Sequence, residues 1–295
     1  MQPTLKKASQ AFLKPQILDM KKQILLLALC TLMLANCFAQ QAYDKNILYI
    51  TGGLSVPTGS FAKTNPSSAQ LGYAAPGENV NITYEHKLNS RFGIVATLYG
   101  EANALNKNKL SQQLDQRLFE IPVPYPAGTT PPPPQYGKYS NWVVNKSSWY
   151  AASFLVGMAI HLPLGFNKTG KLLFTAKATS GAVRSTMPKL YASGSTDSTL
   201  TAKQQGRASA FGMSYLLSAG IEYRLTKRLW LEANANYFGT AQISFKNVSE
   251  ASGFEGHFTS GAIPVGTVAF ANFSTATQEQ TVGSFNINAG IAFRL

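Results

Sequence analysis

The end of the chain is a segment in which apolar and polar residues alternate. One set of alternate positions over residues 285–295 is apolar: Phe285, Ile287, Ala289, Ile291, Phe293 and Leu295. The positions between them include Asn286, Asn288 and Arg294. Because successive side chains of an extended strand point to opposite faces, this period of two predicts a β-strand with one apolar face. Residues 220–225 repeat its closing pattern of Gly, Ile, aromatic, Arg and Leu.

Seven further segments of the chain alternate in the same way. They cover residues 46–56, 78–88, 91–104, 148–162, 171–184, 209–225 and 228–245. Connections between them are alternately long and short, which is the pattern of outer-membrane barrels with short periplasmic turns and long external loops. We therefore predict an all-β fold, a transmembrane eight-stranded antiparallel up-and-down β-barrel. Its last strand pairs with its first, so that no sheet edge remains.

The alternation also assigns a face to each side chain. In the seventh segment it places Ile243 on the lipid side, and Gln242 and Ser244 on the lumen side. A soluble barrel or sandwich would bury the apolar face instead. Inner faces rich in Asn, Thr and Ser, with Glu and Arg, would make a poor soluble core. Aromatic residues near the strand ends are typical of a membrane girdle.

A secretory signal peptide is predicted ahead of the barrel. Lys21 and Lys22 precede an apolar run over residues 24–35, with cleavage expected between Ala39 and Gln40. The predicted domains are therefore an extension and signal at 1–39 and the barrel at 40–295, with translation starting at Met1 or at Met20. An alternative makes Cys37 a lipoprotein acceptor. Both cysteines lie in the signal, so the mature chain has no disulfides.

Net charge favours a membrane over nucleic acid as partner. The full chain carries +13; residues 1–39 hold five basic and one acidic residue, which leaves 21 basic and 12 acidic residues, or +9. Export makes nucleic acid an improbable partner, whereas anionic lipid head groups fit this charge. The alternative is that the excess of Lys only solvates the loops.

Several strand ends resemble a known family. These are YEHKL at 84–88, EYRL at 222–225 and FRL at 293–295, with LSVPTG at 54–59. They resemble the outer membrane protein beta-barrel domain family and small OmpA/OmpX-like barrels of Gram-negative bacteria, over about residues 46–295. The resemblance implies an outer-membrane location, contact with outer-membrane lipid and insertion by the barrel-assembly machinery. The C-terminal strand signal for that insertion is Phe285, Ile287, Ile291, Phe293 and Leu295.

Eight charged side chains are assigned to the lumen. They are Glu85, Lys87, Glu101, Lys177, Glu222, Arg224, Glu232 and Arg294. An eight-stranded barrel is just wide enough for side chains to fill. Unpaired buried charges are costly, so opposite signs are expected to pair and to plug the barrel.

A proline-rich loop supplies the candidate contact patch. Residues 121–126 and 131–136 favour polyproline II, and Tyr125, Tyr136, Tyr139 and Trp142 are assigned to a surface ligand patch. The alternative is a stiff, protease-resistant loop. The residues identify neither a surface ligand nor an oligomeric state.

The leading function is structural and interaction-based: envelope integrity and surface contact through the loops. A narrow small-solute channel is the alternative, and a lipid-modifying enzyme comes third. His86 and His161 lie at the periplasmic ends of their strands, and His257 lies in a loop, so no catalytic triad forms. We expect no enzyme activity, no cofactor and no metal site.

Overall fold

The computed structural model describes residues 45–64, 72–121, 130, 133, 135–164, 171–195, 199–256 and 269–295. Within these residues the chain forms two helices, α1 (Gly59–Ala62) and α2 (Lys107–Gln116), and fifteen strands. In chain order the strands are β1 (Asn46–Pro57), β2 (Ala74–Lys87), β3 (Phe92–Leu105), β4 (Leu118–Ile121), β5 (Gln135–Lys138), β6 (Ser140–Val144), β7 (Ser148–Pro163), β8 (Leu172–Met187), β9 (Leu190–Ser195), β10 (Thr199–Gln205), β11 (Ala208–Arg224), β12 (Leu229–Thr240), β13 (Ile243–Gly256), β14 (Ala269–Gln280) and β15 (Gly283–Arg294). No helix in the described ranges has both the length and the apolar composition needed to span a bilayer.

Eight of the strands close into an antiparallel barrel. Their order is β1-β15-β12-β11-β8-β7-β3-β2, and β2 returns to β1. The closing pair places Leu48 opposite Phe293, and Ile50 opposite Ile291. The predicted eight-stranded barrel, including the pairing of its last strand with its first, is confirmed.

The two faces of the barrel wall differ in polarity. Along β2 the outward side chains of Val80, Ile82 and Tyr84 are exposed, whereas Asn81 and Thr83 between them are buried. The same alternation runs along β7 and β11. The outward apolar face requires a hydrocarbon environment, since exposed apolar surface of this extent is unfavourable in water.

The long connections contain a second sheet that the sequence did not predict. Strands β14-β13-β10-β9-β6 form five antiparallel strands in this order, and β4 pairs with β5 in a separate hairpin. Helix α2 follows β3, and Asn106 caps it by accepting a hydrogen bond from the backbone N–H of Lys109 at 3.2 Å. The described parts of the long connections therefore contain regular secondary structure.

The predicted seventh strand is too long, and its last residues face the wrong way. β12 ends at Thr240, and the following two residues interrupt the alternation before β13 begins at Ile243. Ile243 is only 1% exposed, and Gln242 and Ser244 are exposed and contact Glu279. Residues 241 and 242 belong to neither strand, and after them the chain leaves the barrel wall. β13 then pairs with β14, whereas β12 pairs with β15.

The predicted contact patch is also partly wrong. Tyr139 is 0% exposed and Trp142 is 6% exposed, because β6 pairs with β9 and both side chains pack with Leu114 of α2. The Trp142 indole N–H donates to the Tyr139 carbonyl at 3.1 Å. Tyr136 is 63% exposed, and Tyr125 lies outside the described residues.

Candidate functional site: the barrel lumen

All eight predicted lumen charges occupy inward-facing strand positions, but they do not form one network of ion pairs. Among the described residues, Lys177 and Glu232 are the only two of the eight that lie within ion-pair distance of each other, with Nζ and Oε1 2.8 Å apart. The Lys177 ammonium also lies 3.5 Å from the centre of the Tyr49 ring. Attraction to the carboxylate and to the ring face offsets the cost of burying the ammonium.

A histidine joins two of the acids near the periplasmic end. His161 Nε2 lies 2.6 Å from Glu85 Oε1, and its Nδ1 lies 3.8 Å from Glu222 Oε1. The Tyr49 hydroxyl lies 3.0 Å from Glu85 and 3.1 Å from Glu222. We call Tyr49, Glu85, His161 and Glu222 the histidine cluster. All four side chains are buried in the inner half of the lumen.

A glycine makes room for the histidine cluster. Gly93 lies opposite Lys87 in the β2–β3 pair, and a Cβ atom at this position would collide with the carboxylate of Glu85, two residues away on β2. Lys87 is buried on the same strand, two residues beyond Glu85. The requirement for Gly at 93 is not visible in the alternation of the sequence.

Arg224 and Arg294 lie over the Trp230 ring and form no ion pair with an acid among the described residues. The predicted pairing of these two arginines with acids is therefore wrong. The Arg294 guanidinium carbon lies 3.9 Å from the centre of the Trp230 ring, and that of Arg224 lies 6.0 Å from it. The Arg224 Nε also donates to the Thr226 carbonyl at 3.3 Å. None of the ion pairs in the described residues includes either arginine. Both side chains are partly exposed, but one guanidinium nitrogen of Arg294, Nη2, is buried without a hydrogen-bond partner among the described residues.

Glu101, in the outer half of the lumen, is held by hydroxyl groups and not by a cation. Its Oε2 accepts hydrogen bonds from Tyr99 at 2.6 Å, Ser284 at 2.7 Å and Ser55 at 3.3 Å. Asn286 in turn donates to the Tyr99 hydroxyl at 3.0 Å. The expected ion pair is therefore wrong for Glu101, because the strands bring donors to it from three sides and no cation of the described residues within reach.

Aromatic and aliphatic side chains fill the outer half of the lumen. The rings of Tyr99 and Phe238 stack with centres 4.4 Å apart. Above them Trp149 contacts Phe61 of α1 edge-on at 5.5 Å and Phe245 of β13 at 6.0 Å. We call this buried group the outer plug: Phe61, Tyr99, Trp149, Leu155, Leu216, Phe238, Ile243 and Phe245. The sequence did not predict this group for two reasons. Phe61 lies outside the predicted strands, and Ile243 and Phe245 lie where the two faces of the predicted seventh strand are exchanged.

A polar belt separates the histidine cluster from the outer plug. The Thr83 and Thr97 hydroxyls lie 2.9 Å apart, and Asn81 donates to Thr51 at 3.3 Å. Several buried amide oxygen atoms in the lumen have no hydrogen-bond partner in the part of the chain that the structure describes, including those of Asn234, Asn236 and Asn288. A cavity of about 20 Å³ between Thr51 and Asn236 has room for one water molecule.

The other predicted residues lie outside the lumen. His86 is exposed, and its Nδ1 lies 2.9 Å from Asn46 Oδ1, whereas His257 and the predicted cleavage position at Ala39 and Gln40 fall outside the described residues. Within the described ranges no group of three or more His, Cys, Asp or Glu could hold a metal ion. The residues of the C-terminal strand signal share the lipid-facing side of β15: Phe285, Ile287, Ile291, Phe293 and Leu295.

A family comparison agrees with this architecture. A family model described as "Outer membrane protein beta-barrel domain" matches residues 25–258. The chain is similar in structure to Neisserial surface protein A, with 9% identity, 87% of this chain and 100% of that chain covered, and a TM-score of 0.39. It is also similar to Ail, the attachment invasion locus protein of Yersinia pestis, with 11% identity, 84% and 99% covered, and a TM-score of 0.34. A search of curated proteins gave no match.

Proposed function

Since the chain belongs to the outer membrane protein beta-barrel domain family, we propose that it is a non-conducting barrel that supports the envelope and presents a contact surface outside the cell. The protein resides in the outer membrane of a Gram-negative bacterium. The proposal concerns what its lumen and its external sheet do there.

The observation that carries the proposal is the double obstruction of the lumen. The histidine cluster fills the inner half with four buried side chains. The outer plug fills the other half, where Leu155 and Phe238 are fully buried. Solute passage would require both layers to move, and each is fixed by packing or by charge-assisted hydrogen bonds.

The external sheet supplies the contact surface. Val143 of β6 and Tyr191 of β9 are exposed on it, and Tyr136 is exposed on the neighbouring β4–β5 hairpin. Aromatic and aliphatic side chains on a rigid sheet suit binding, since little conformational entropy is lost when a partner covers them. We propose this surface in place of the predicted patch.

The barrel-assembly machinery, which inserts the chain into the membrane, is the second partner that we propose. The lipid-facing residues of β15 end in Phe293-Arg294-Leu295, and β15 pairs with β1 to complete the barrel. We propose that the barrel-assembly machinery recognises this strand before closure. Substitution of Phe293 by Ser should lower the amount of folded protein in the membrane, and an unchanged amount would contradict the proposal.

Planar-bilayer conductance tests the closed lumen. The wild-type protein should give no steady openings, whereas Phe238→Ala combined with Tyr49→Ala should create transient ones, because one side chain is then missing from each layer. Leu217→Ala, on the lipid side of β11, is the matched control and should behave as wild type. Steady wild-type openings would contradict the proposal.

A narrow channel for small solutes is the second candidate, and the polar belt favours it. Its unpartnered buried amides resemble groups that ordered water satisfies. Under this alternative, Glu222→Gln or Arg224→Gln would change the size or ion preference of steady wild-type openings.

We propose no catalytic activity for this barrel. The buried His161 binds two carboxylates within the lumen and not a nucleophile at the outer rim. Lipid A from cells with and without the gene should carry the same acyl chains, and a difference between the two would contradict this part of the proposal.

A further inference from the structure

The lipid-facing wall of the described barrel strands carries one basic and one acidic side chain, Arg184 and Glu78. Across the eight described barrel strands, Arg184 is the only Lys or Arg at an outward-facing position, and its side chain is exposed. It lies three residues before the external end of β8, opposite Ala152 of β7 and Phe211 of β11. An arginine facing lipid is costly at the bilayer centre and tolerated near the interface, where it meets anionic head groups.

A second exposed arginine lies beside it. Arg207 immediately precedes β11, and its guanidinium carbon lies 5.6 Å from the centre of the Tyr150 ring. The Arg184 guanidinium carbon lies 6.0 Å from the centre of the Phe211 ring. Within the described residues, neither guanidinium is within ion-pair distance of a carboxylate. Ring contacts hold both groups at the interface and leave N–H donors for a ligand.

Both arginines line one groove on the barrel wall. The groove has a volume of about 700 Å³, and its other lining residues include Gly100, Tyr150, Ala152 and Ser209. Gly100 and Ala152 lie opposite each other in neighbouring strands, in the same row as Arg184, so the groove floor has almost no side-chain bulk. Glu101 also lines it, but its carboxylate is bonded inside the lumen.

The chemistry of this groove fits one class of ligand. Guanidinium groups bind phosphate through paired, charge-assisted hydrogen bonds. The Thr186 and Ser209 hydroxyls, 2.9 Å apart, are bonded to each other, so one of their two O–H groups is left to donate to a ligand. The smooth apolar floor below suits an acyl chain. At the external side of an outer membrane, an anionic head group attached to acyl chains belongs to lipid A.

We propose that Arg184 and Arg207 bind a phosphate group of lipid A in the outer leaflet, with an acyl chain over Gly100 and Ala152. The site rests on the outer-membrane location and not on whether the lumen conducts. Its lipid would anchor the barrel wall between β7 and β11 at a fixed height in the bilayer.

Lipid binding to the full-length mature protein in detergent micelles tests this site. With lipid A as the probe, native mass spectrometry should show a bound lipid on the wild type. Arg184→Gln combined with Arg207→Gln should weaken binding at least about tenfold, the loss expected when charge-assisted hydrogen bonds disappear. Dephosphorylated lipid A should bind the wild type as weakly as lipid A binds this double variant.

The matched control removes the same charge from the other end of the barrel. Lys227 and Arg228 are exposed in the periplasmic turn, and changing both to Gln should leave lipid A binding unchanged. Equal weakening in this control would mean that only net charge matters, and it would overturn the site. Competition by inorganic phosphate at a concentration equal to that of lipid A would point to a free anion and would also overturn it.

A third variant tests the groove itself. Ala152→Leu keeps both arginines and fills the floor, so lipid A should bind several-fold more weakly. Unchanged binding would overturn the assignment of the acyl chain. Retention of fast migration in unboiled gels would establish that each variant still folds.

Discussion

The inner and outer halves of the lumen fill the same narrow cylinder in different ways. The inner half holds the Lys177–Glu232 ion pair and the histidine cluster, in which His161 lies within 4 Å of two carboxylates. The outer half holds the outer plug and one acid, Glu101, bound by three hydroxyl groups. The difference indicates that a barrel interior can be filled either by paired polar groups or by packed rings. A different kind of substitution should destabilise each half.

The largest effect should follow from breaking the ion pair of the inner half. Lys177→Met leaves Glu232 buried without its cation, so the free energy of unfolding should fall by about 3–5 kcal/mol. Urea unfolding of the barrel in micelles, followed by tryptophan fluorescence, measures it.

The double variant separates charge from packing at this position. Lys177→Met with Glu232→Leu replaces both partners by apolar groups, and most of the lost stability should return. A double variant as unstable as Lys177→Met would show that packing, and not the unpaired charge, dominates the inner half.

A somewhat smaller loss is expected from a cavity in the outer half. Phe238→Ala removes a fully buried ring that stacks on Tyr99, and should lower the free energy of unfolding by about 3 kcal/mol. The same unfolding experiment measures it. Phe238→Leu, which keeps most of the volume, should lose much less, and equal losses for Ala and Leu would contradict a packed outer half.

Removal of one hydroxyl tests how Glu101 is held. Tyr99→Phe keeps the stack on Phe238 and deletes one of three hydrogen bonds to the carboxylate, so stability should fall by about 2 kcal/mol. Glu101→Gln combined with Tyr99→Phe should lose less than the sum of the two single changes. Additive losses would indicate that the hydroxyl does not stabilise the carboxylate.

The smallest change in the free energy of unfolding is expected for a substitution in the external sheet, which lies outside both halves of the lumen. Val143→Ser changes an exposed side chain of β6, and the free energy of unfolding should change by less than about 0.5 kcal/mol. Under the proposed function, contact with a partner outside the cell is the property that this variant should alter. A large loss of stability would instead show that β6 supports the barrel.

The barrel wall was predictable because its signal is local and repeated. Each of the eight segments, such as 148–162 for β7 at Ser148–Pro163, alternates with a period that only a strand satisfies. The prediction was wrong where that period broke: two residues after Thr240 reversed the faces, so Ile243 is buried and Ser244 is exposed.

The partners of the lumen side chains were far less predictable. His161 meets Glu85 and Glu222, which come from other strands and are 76 and 61 positions away along the chain. Alternation tells which residues point inward but not at what height they meet, since that depends on the stagger of the closed strands. The sequence likewise gave no sign that Tyr139 and Trp142 would be covered by α2.

By itself, then, the order of residues determined a closed wall with an apolar outside and a polar inside, because neighbouring residues alone set the period of two. Closure decided the rest: which inward groups face each other, which loops fold into a second sheet, and where Arg184 and Arg207 come together. These are contacts between distant residues, and only the register of strands around the cylinder brings them within reach.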